Sequence, residues 1–480
     1  MQTTTSFAVL LTALAVTAQD QRPTALVNAR ILTMTDGGSI ERGTVLIRDG
    51  KIEALGPDVR PPLGARVIDV AGGTVMPGYV HAWSGAGLSA APRAPQEAPD
   101  PTRGRRGRGP RPEVTPQPSS GGNSASKRVA DGVYERQDVF ADLLREGVTS
   151  LSVRPLAPGF PGLAARLEPD GTTHGDLVVD PESYVVVAPA TNTAGKKLLK
   201  DEFDKAKKAL EERKKPPEPQ KPAGTEGQPA ATPDAKPAEP QKPAEGGKPA
   251  EEPKPQEPPK PQEPPKPQEQ PKPATDAKPA AAPAQAQPAP KKDPNVEVLA
   301  DVLDGKRKTF VRMSTVMEMQ HWLDAVGETR FPMVVVADAP DSRRGRLDEG
   351  IAELKKLGAT VLLAPRLLDL PFSRTLVNVP QRLHEAGIAL GFVLPDDPAG
   401  IRDLRFRLME LVRSGLPADA ALRAVTAVPA KLLGIDDKTG SIVAGLRADL
   451  LVFDGDPLDP SASLRHVFLR GREITKDPTR

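Results

Sequence analysis

Short apolar stretches alternating with polar positions occupy both ends of the chain, while the middle repeats helix-period apolar faces followed by β-branched runs. Near the start, the alternation predicts strands over residues 25–32, 44–48, 51–55, 66–69 and 74–76, with Asp49-Gly50 as the hairpin turn between the second and third. From Tyr134 the pattern becomes helix then strand. A helix over 139–145 stops at Gly147, strands follow over 149–153 and 184–188, and a charged helix covers 196–214. Further on, helices over 296–303, 316–326, 347–357 and 379–386 interleave with strands over 309–313, 332–337, 360–364 and 388–393. Such alternation predicts an α/β fold with parallel strands covered by helices, as an open sheet or a (β/α) barrel. Helices over 401–414, 417–426 and 429–433 then lead to strands over 440–443, 449–453, 466–469 and 473–474. A meander needs a second layer to bury its apolar face, and if the two strand-rich ends pair they form one small β-sandwich beside the barrel.

Composition explains the two interruptions. Residues 91–126 are rich in Pro, Gly, Arg and Ser, with Arg103-Gly104-Arg105-Arg106-Gly107-Arg108 at their centre. With so few apolar residues they cannot offset the entropy of ordering, and a disordered loop is expected. No aromatics interleave with the arginines to stack on bases, so nucleic acid is not expected as a partner. Residues 215–295 hold the hexapeptide Pro-Lys-Pro-Gln-Glu-Pro, phased on Lys254, Lys260 and Lys266, and read as an extended polyproline-like spacer. The 65 basic and 63 acidic residues leave a net charge of +2, which supplies no field to draw polyanions or a charged membrane surface. With no cysteine, a disulfide scaffold, a thiolate metal site and a cysteine nucleophile are excluded.

The N-terminus carries an apolar run over 7–16 and then Val16-Thr17-Ala18, a small-residue cleavage site. The run is too short to span a bilayer, its flank lacks Lys or Arg, and no later stretch is long and apolar enough to span one. Residues 1–18 are therefore expected to be a signal peptide, and the protein to be exported to a periplasm or beyond the cell.

Three stretches carry a family resemblance: Val45–Gly56 leading to Val75-Met76-Pro77-Gly78, Leu144–Pro155, and Ser414–Gly455 with His466–Ile474 closing it. Together they resemble the amidohydrolase superfamily, in particular its secreted imidazolonepropionase-like and dihydroorotase-like members. The resemblance implies a TIM-like (β/α) barrel over 77–439, interrupted by 91–126 and 215–295, beside a composite β-sandwich domain from 24–76 and 440–475.

It also implies a divalent metal, zinc or a similar ion, held by histidines and an aspartate so that a bound water is activated. Two of the family's histidines would fall at Trp83 and Gly85, neither of which can ligate, and His81 stands where the family has an aspartate. The third histidine position falls on Arg312, or on Met313 if the register slips, and the fourth on Ala337 or Asp338. The late catalytic aspartate is represented by Asp396 or Asp397. The other histidines, His174, His321, His384 and His466, are expected in structural or surface roles. No Gly-x-Ser-x-Gly elbow or phosphate-cradling Gly-Lys-Ser/Thr loop is present, and acidic pairs such as Asp338 with Asp341 read as solvated caps.

The expectation is a catalytically degenerate amidohydrolase with no cofactor. Its partner would be a small molecule bound around Trp83, Arg312, Asp338 and Asp396, or an active paralogous subunit. A divergent hydrolase of carbon–nitrogen bonds, with His81 as base and Asp396 or Asp397 polarising it, is one alternative. An envelope spacer working through its Pro-rich segment is the other.

Overall fold

In the computed structural model the described residues are 22–88, 121–190, 192–214, 292–327, 329–338, 346–370 and 372–474. The expected signal peptide, the Arg/Gly centre of the first interruption, the Pro-rich repeats and Asp341 lie outside them.

The chain begins with β1 (Thr24–Leu32), β2 (Ser39–Arg48), β3 (Lys51–Gly56), β4 (Arg66–Asp69) and β5 (Thr74–Pro77). It continues through β6 (Tyr79–Ser84), β7 (Gly122–Asn123), β8 (Val148–Val153), β9 (Gly159–Leu167), β10 (Val178–Ala188), β11 (Thr309–Arg312) and β12 (Met333–Ala337). Next come β13 (Thr360–Leu363), the small hairpin β14 (Leu368–Asp369) and β15 (Leu376–Val377), and β16 (Leu390–Phe392). It ends with β17 (Leu450–Phe453), β18 (Leu464–Leu469) and β19 (Arg472–Ile474).

The two ends meet, as the family resemblance implies, with β17 antiparallel to β5. Hydrogen bonding makes one continuous sheet, β19-β18-β17-β5-β1-β2-β3, with β4 also on β1. The physical reason lies in β1, whose register shifts between Leu26 and Ala29, where Asn28 has a left-handed φ of 57°. Before the bulge β1 pairs with β4, and after it with β5, so one strand changes neighbours within a single sheet. Leu26, Ile31, Val45, Val75, Leu450 and Phe468 fill its core. Asp49 and Gly50 both take positive φ at the predicted hairpin. The expected strand over 440–443 is absent: Gly440 turns at φ 92° against Ala430, and the chain leaves the extended conformation there.

The second sheet, β16-β13-β12-β11-β10-β9-β8-β6, curls into a TIM-like half-barrel. Its open side is spanned by the turn at Ala424–Val425, whose carbonyls accept from Phe392 N (2.7 Å) and Val80 N (2.9 Å). Side chains alternate as a strand period demands. Tyr184, Val186, Phe310, Val334 and Val336 point inward, while Val185, Val187, Val311 and Val335 pack outward on the helices.

One strand breaks the parallel rule. β9 is antiparallel to both β8 and β10. Its sequence, GFPGLAARL, carries a proline and two glycines, which is why alternation does not reveal it. Gly162 is required there, because a Cβ would come within 2.1 Å of Lys127 O.

The ordered structure also reaches into both interruptions. Ser126 donates to Asn295 Oδ1 from its amide (3.0 Å) and its hydroxyl (2.8 Å), and the helix Pro294–Leu303 begins there behind an Asp293 cap. The ends of two stretches expected to be loose thus hold each other.

Candidate functional site

The site is assembled at the C-terminal ends of the barrel strands, the face where side chains from many strands converge. β6 reaches it by passing close to β8, which requires glycine at its entry: a Cβ on Gly78 would stand 2.2 Å from Thr149 Oγ1. A register irregularity between His81 and Ser84 then lets Trp83 enter the barrel interior alongside Val80 and Ala82.

His81 is fully buried, and its Nε2 lies 3.0 Å from Asp396 Oδ1. The same oxygen accepts from Ser84 Oγ (2.7 Å), and Gly85 N lies 3.0 Å from both carboxylate oxygens. His81 Nδ1 is buried and has no partner among the described residues. Burial pushes the Asp396 pKa up. The bond to His81, its charge, and the Ser84 and Gly85 donors more than reverse this and bring it to about 2. The side chain is still 46% exposed, so water screens the network.

The sign of the resulting pH dependence follows from the depressed value. Stabilisation is complete above the ordinary carboxylate value of 3.8 and is lost as pH falls from there through about 2. Asp396→Asn should flatten that acid limb when urea midpoints are measured across the window. An acid limb as steep as in the unaltered protein would contradict the assignment.

The second cluster surrounds Asp338, just past β12. Trp83 Nε1 donates to Oδ2 (2.7 Å), Arg154 Nη2 donates to the same oxygen (3.1 Å), and Arg312 Nε donates to Oδ1 (2.6 Å). The Arg154 guanidinium lies 4.5 Å from the Trp83 ring centroid. Behind the indole, Tyr184 and Phe310 stack at 6.3 and 6.1 Å, and Tyr184 Oη is anchored on Ala82 O at 2.8 Å. Burial depresses the Arg154 pKa and the Asp338 charge opposes it. Two guanidinium groups share one carboxylate, so the cluster keeps a surplus positive charge.

The structure therefore brings His81, Trp83, Arg312, Asp338 and Asp396 to one face. Asp397 is not among them: its carboxylate caps the helix Pro398–Arg413, accepting from Gly400 N at 2.8 Å. That corrects its candidacy, since a residue just before a helix that starts with proline is used by the helix's own free amides. Arg154 and Ser84 were not singled out from the sequence. Arg154 lies within the Leu144–Pro155 motif, and its place at the end of a barrel strand was the signal available. Of the remaining histidines, His174, His321 and His384 sit in helices, and His466 Nδ1 lies 2.6 Å from Glu473 Oε1 in the terminal sheet.

The amidohydrolase family profile matches residues 352–475, the stretch from the late barrel into the returning strands. Over that stretch the chain is similar to the amidohydrolase family. The structure of an amidohydrolase from Thermotoga maritima is similar over 95% of this chain and 100% of that one, with a TM-score of 0.63 and 18% identity, a likeness of fold. Amidohydrolase tasK of Hapsidospora irregularis is 44% identical over 64 residues, 13% of this chain and 6% of that protein. A 5'-deoxyadenosine deaminase of Methanosarcina mazei is 43% identical over 63 residues, 13% of this chain and 14% of that protein. The chain thus matches only a small part of either curated relative.

Amidohydrolases usually hold a divalent metal at this face, and the donor set of this chain does not fit one. An indole, a glycine and a guanidinium offer no lone pair to an ion. Asp338 is already shared by three donors, and Asp396 is occupied by His81, Ser84 and Gly85. Among the described residues no three His, Cys, Asp or Glu side chains are grouped so as to hold a metal.

Proposed function

We propose that this amidohydrolase-family protein has abandoned metal-dependent hydrolysis and uses its barrel mouth to bind a small anionic ligand. The observation that carries the reading is the Trp83–Asp338–Arg154/Arg312 cluster. Aromatic stacking, an ion pair and a cation over an indole occupy the positions where ligating histidines would stand, and they form a closed network of their own. Positive charge supports the ligand class. Arg312 is 44% exposed and bonded to Asp338 through only one of its nitrogens, leaving its other donors open to a ligand. The buried position of His81, with Nε2 turned to Asp396, argues against its service as the base of a metal-free hydrolase.

Metal analysis of the purified full-length chain, with and without added zinc, tests the reading together with an amide and dipeptide hydrolysis assay. The expected result is no stoichiometric metal, no change in melting temperature on adding zinc, and no turnover. About one tightly held ion per chain accompanied by hydrolysis would overturn it.

A further inference from the structure

The opposite end of the barrel holds a cavity that the mouth does not explain. β9 runs from Gly159, beside Ala188 at the mouth, down to Leu167 beside Val178, so the residues that follow lie where the parallel strands begin. The terminal sheet meets the barrel at this level: Gly78 N, at the entry to β6, donates to Asp449 O at 2.9 Å. Between them is a cavity of about 500 Å³ whose lining includes Arg166, Glu168, Asp170, Lys438, Arg447 and Arg470. That volume suits a small molecule.

The carboxylates of this cavity already have partners. Glu168 accepts from both terminal nitrogens of Arg447, at 2.6 and 2.9 Å, and Arg447 also lies 2.9 Å from Asp449. Asp170 sits between Arg470 and Arg472, at 2.7 Å from each. Two cations differ. The Arg166 side chain is only 8% exposed, its nearest carboxylate oxygen is Glu168 Oε1 at 3.7 Å, and it donates no hydrogen bond to a described residue. Lys438 is exposed at the rim and makes no ion pair among the described residues. The Arg166 guanidinium lines the cavity, and the planar fork it presents matches an oxyanion.

We propose that this cavity binds a small organic oxyanion, a carboxylate or a phosphate monoester, clamped by Arg166 inside and Lys438 at the rim. Arg166 stands on a strand bonded on both sides, so its position is set in advance. Lys438 adds an exposed charge whose contribution depends on salt.

The test is calorimetric titration of the full-length protein with three probes: inorganic phosphate, glycerol phosphate and succinate. Saturable binding of at least one is expected, and the pattern among them separates phosphate from carboxylate recognition. Arg166→Gln should weaken that binding by roughly tenfold or more. Lys438→Glu should weaken it by a smaller factor and reduce its salt dependence. Circular dichroism establishes that each variant is folded. If Arg166→Gln does not fold, Lys438→Glu at the rim decides alone. No saturable binding of any probe overturns the proposal, as does binding that both folded variants leave unchanged.

Discussion

Asp338→Ala should lower the free energy of unfolding by about 3–5 kcal/mol, the cost of leaving a buried charge without its counterion. The carboxylate is 10% exposed and is the common acceptor of Trp83, Arg154 and Arg312. Its loss does not affect the two cations equally. Arg312, 44% exposed, can turn to water, whereas Arg154, 17% exposed and lying over the indole, cannot. Most of the penalty therefore falls on Arg154, and Arg154→Met in the Asp338→Ala background should recover part of it. Urea unfolding of the two single variants and the double variant measures both effects. A single variant within ~0.5 kcal/mol of the unaltered protein, the range of an ordinary surface change, would show that the pair does not form in solution.

Trp83→Ala is the other large effect, again about 3–5 kcal/mol, for a different reason. The indole is 2% exposed and stacks on Tyr184 and Phe310, so its removal opens a cavity in the barrel interior. Trp83→Phe keeps a ring in that stack and removes only the donor to Asp338, which retains two guanidinium partners. It should cost about 1 kcal/mol. Because Trp83 and Asp338 share a hydrogen bond, combining Trp83→Phe with Asp338→Ala should cost less than the sum of the two. Additive losses would mean the indole packs without making that bond.

Much of the architecture was legible in residue order. The Asp49-Gly50 hairpin and the helix–strand alternation after residue 296 follow from local period and turn chemistry. β9 was not legible, because its proline and glycines erase the alternation that marks a strand, and its neighbours β8 and β10 supply the hydrogen bonds that make it one. The limits of the two interruptions were misplaced for a similar reason. Ser126 and Asn295 are 169 positions apart, and no local pattern announces their bond.

The site divides along the same line. A side chain's donor atoms belong to the residue, so the sequence by itself determined that Trp83, Gly85 and Arg312 cannot ligate a metal. Which groups meet at that face was decided only by the tertiary structure. Trp83 meets Asp338 across 255 positions and His81 meets Asp396 across 315, contacts that exist because strands far apart in the chain end side by side at one barrel face. Asp396 and Asp397 look alike in sequence; one joins the His81 network and the other caps a helix, because the start of that helix points their carboxylates to different partners.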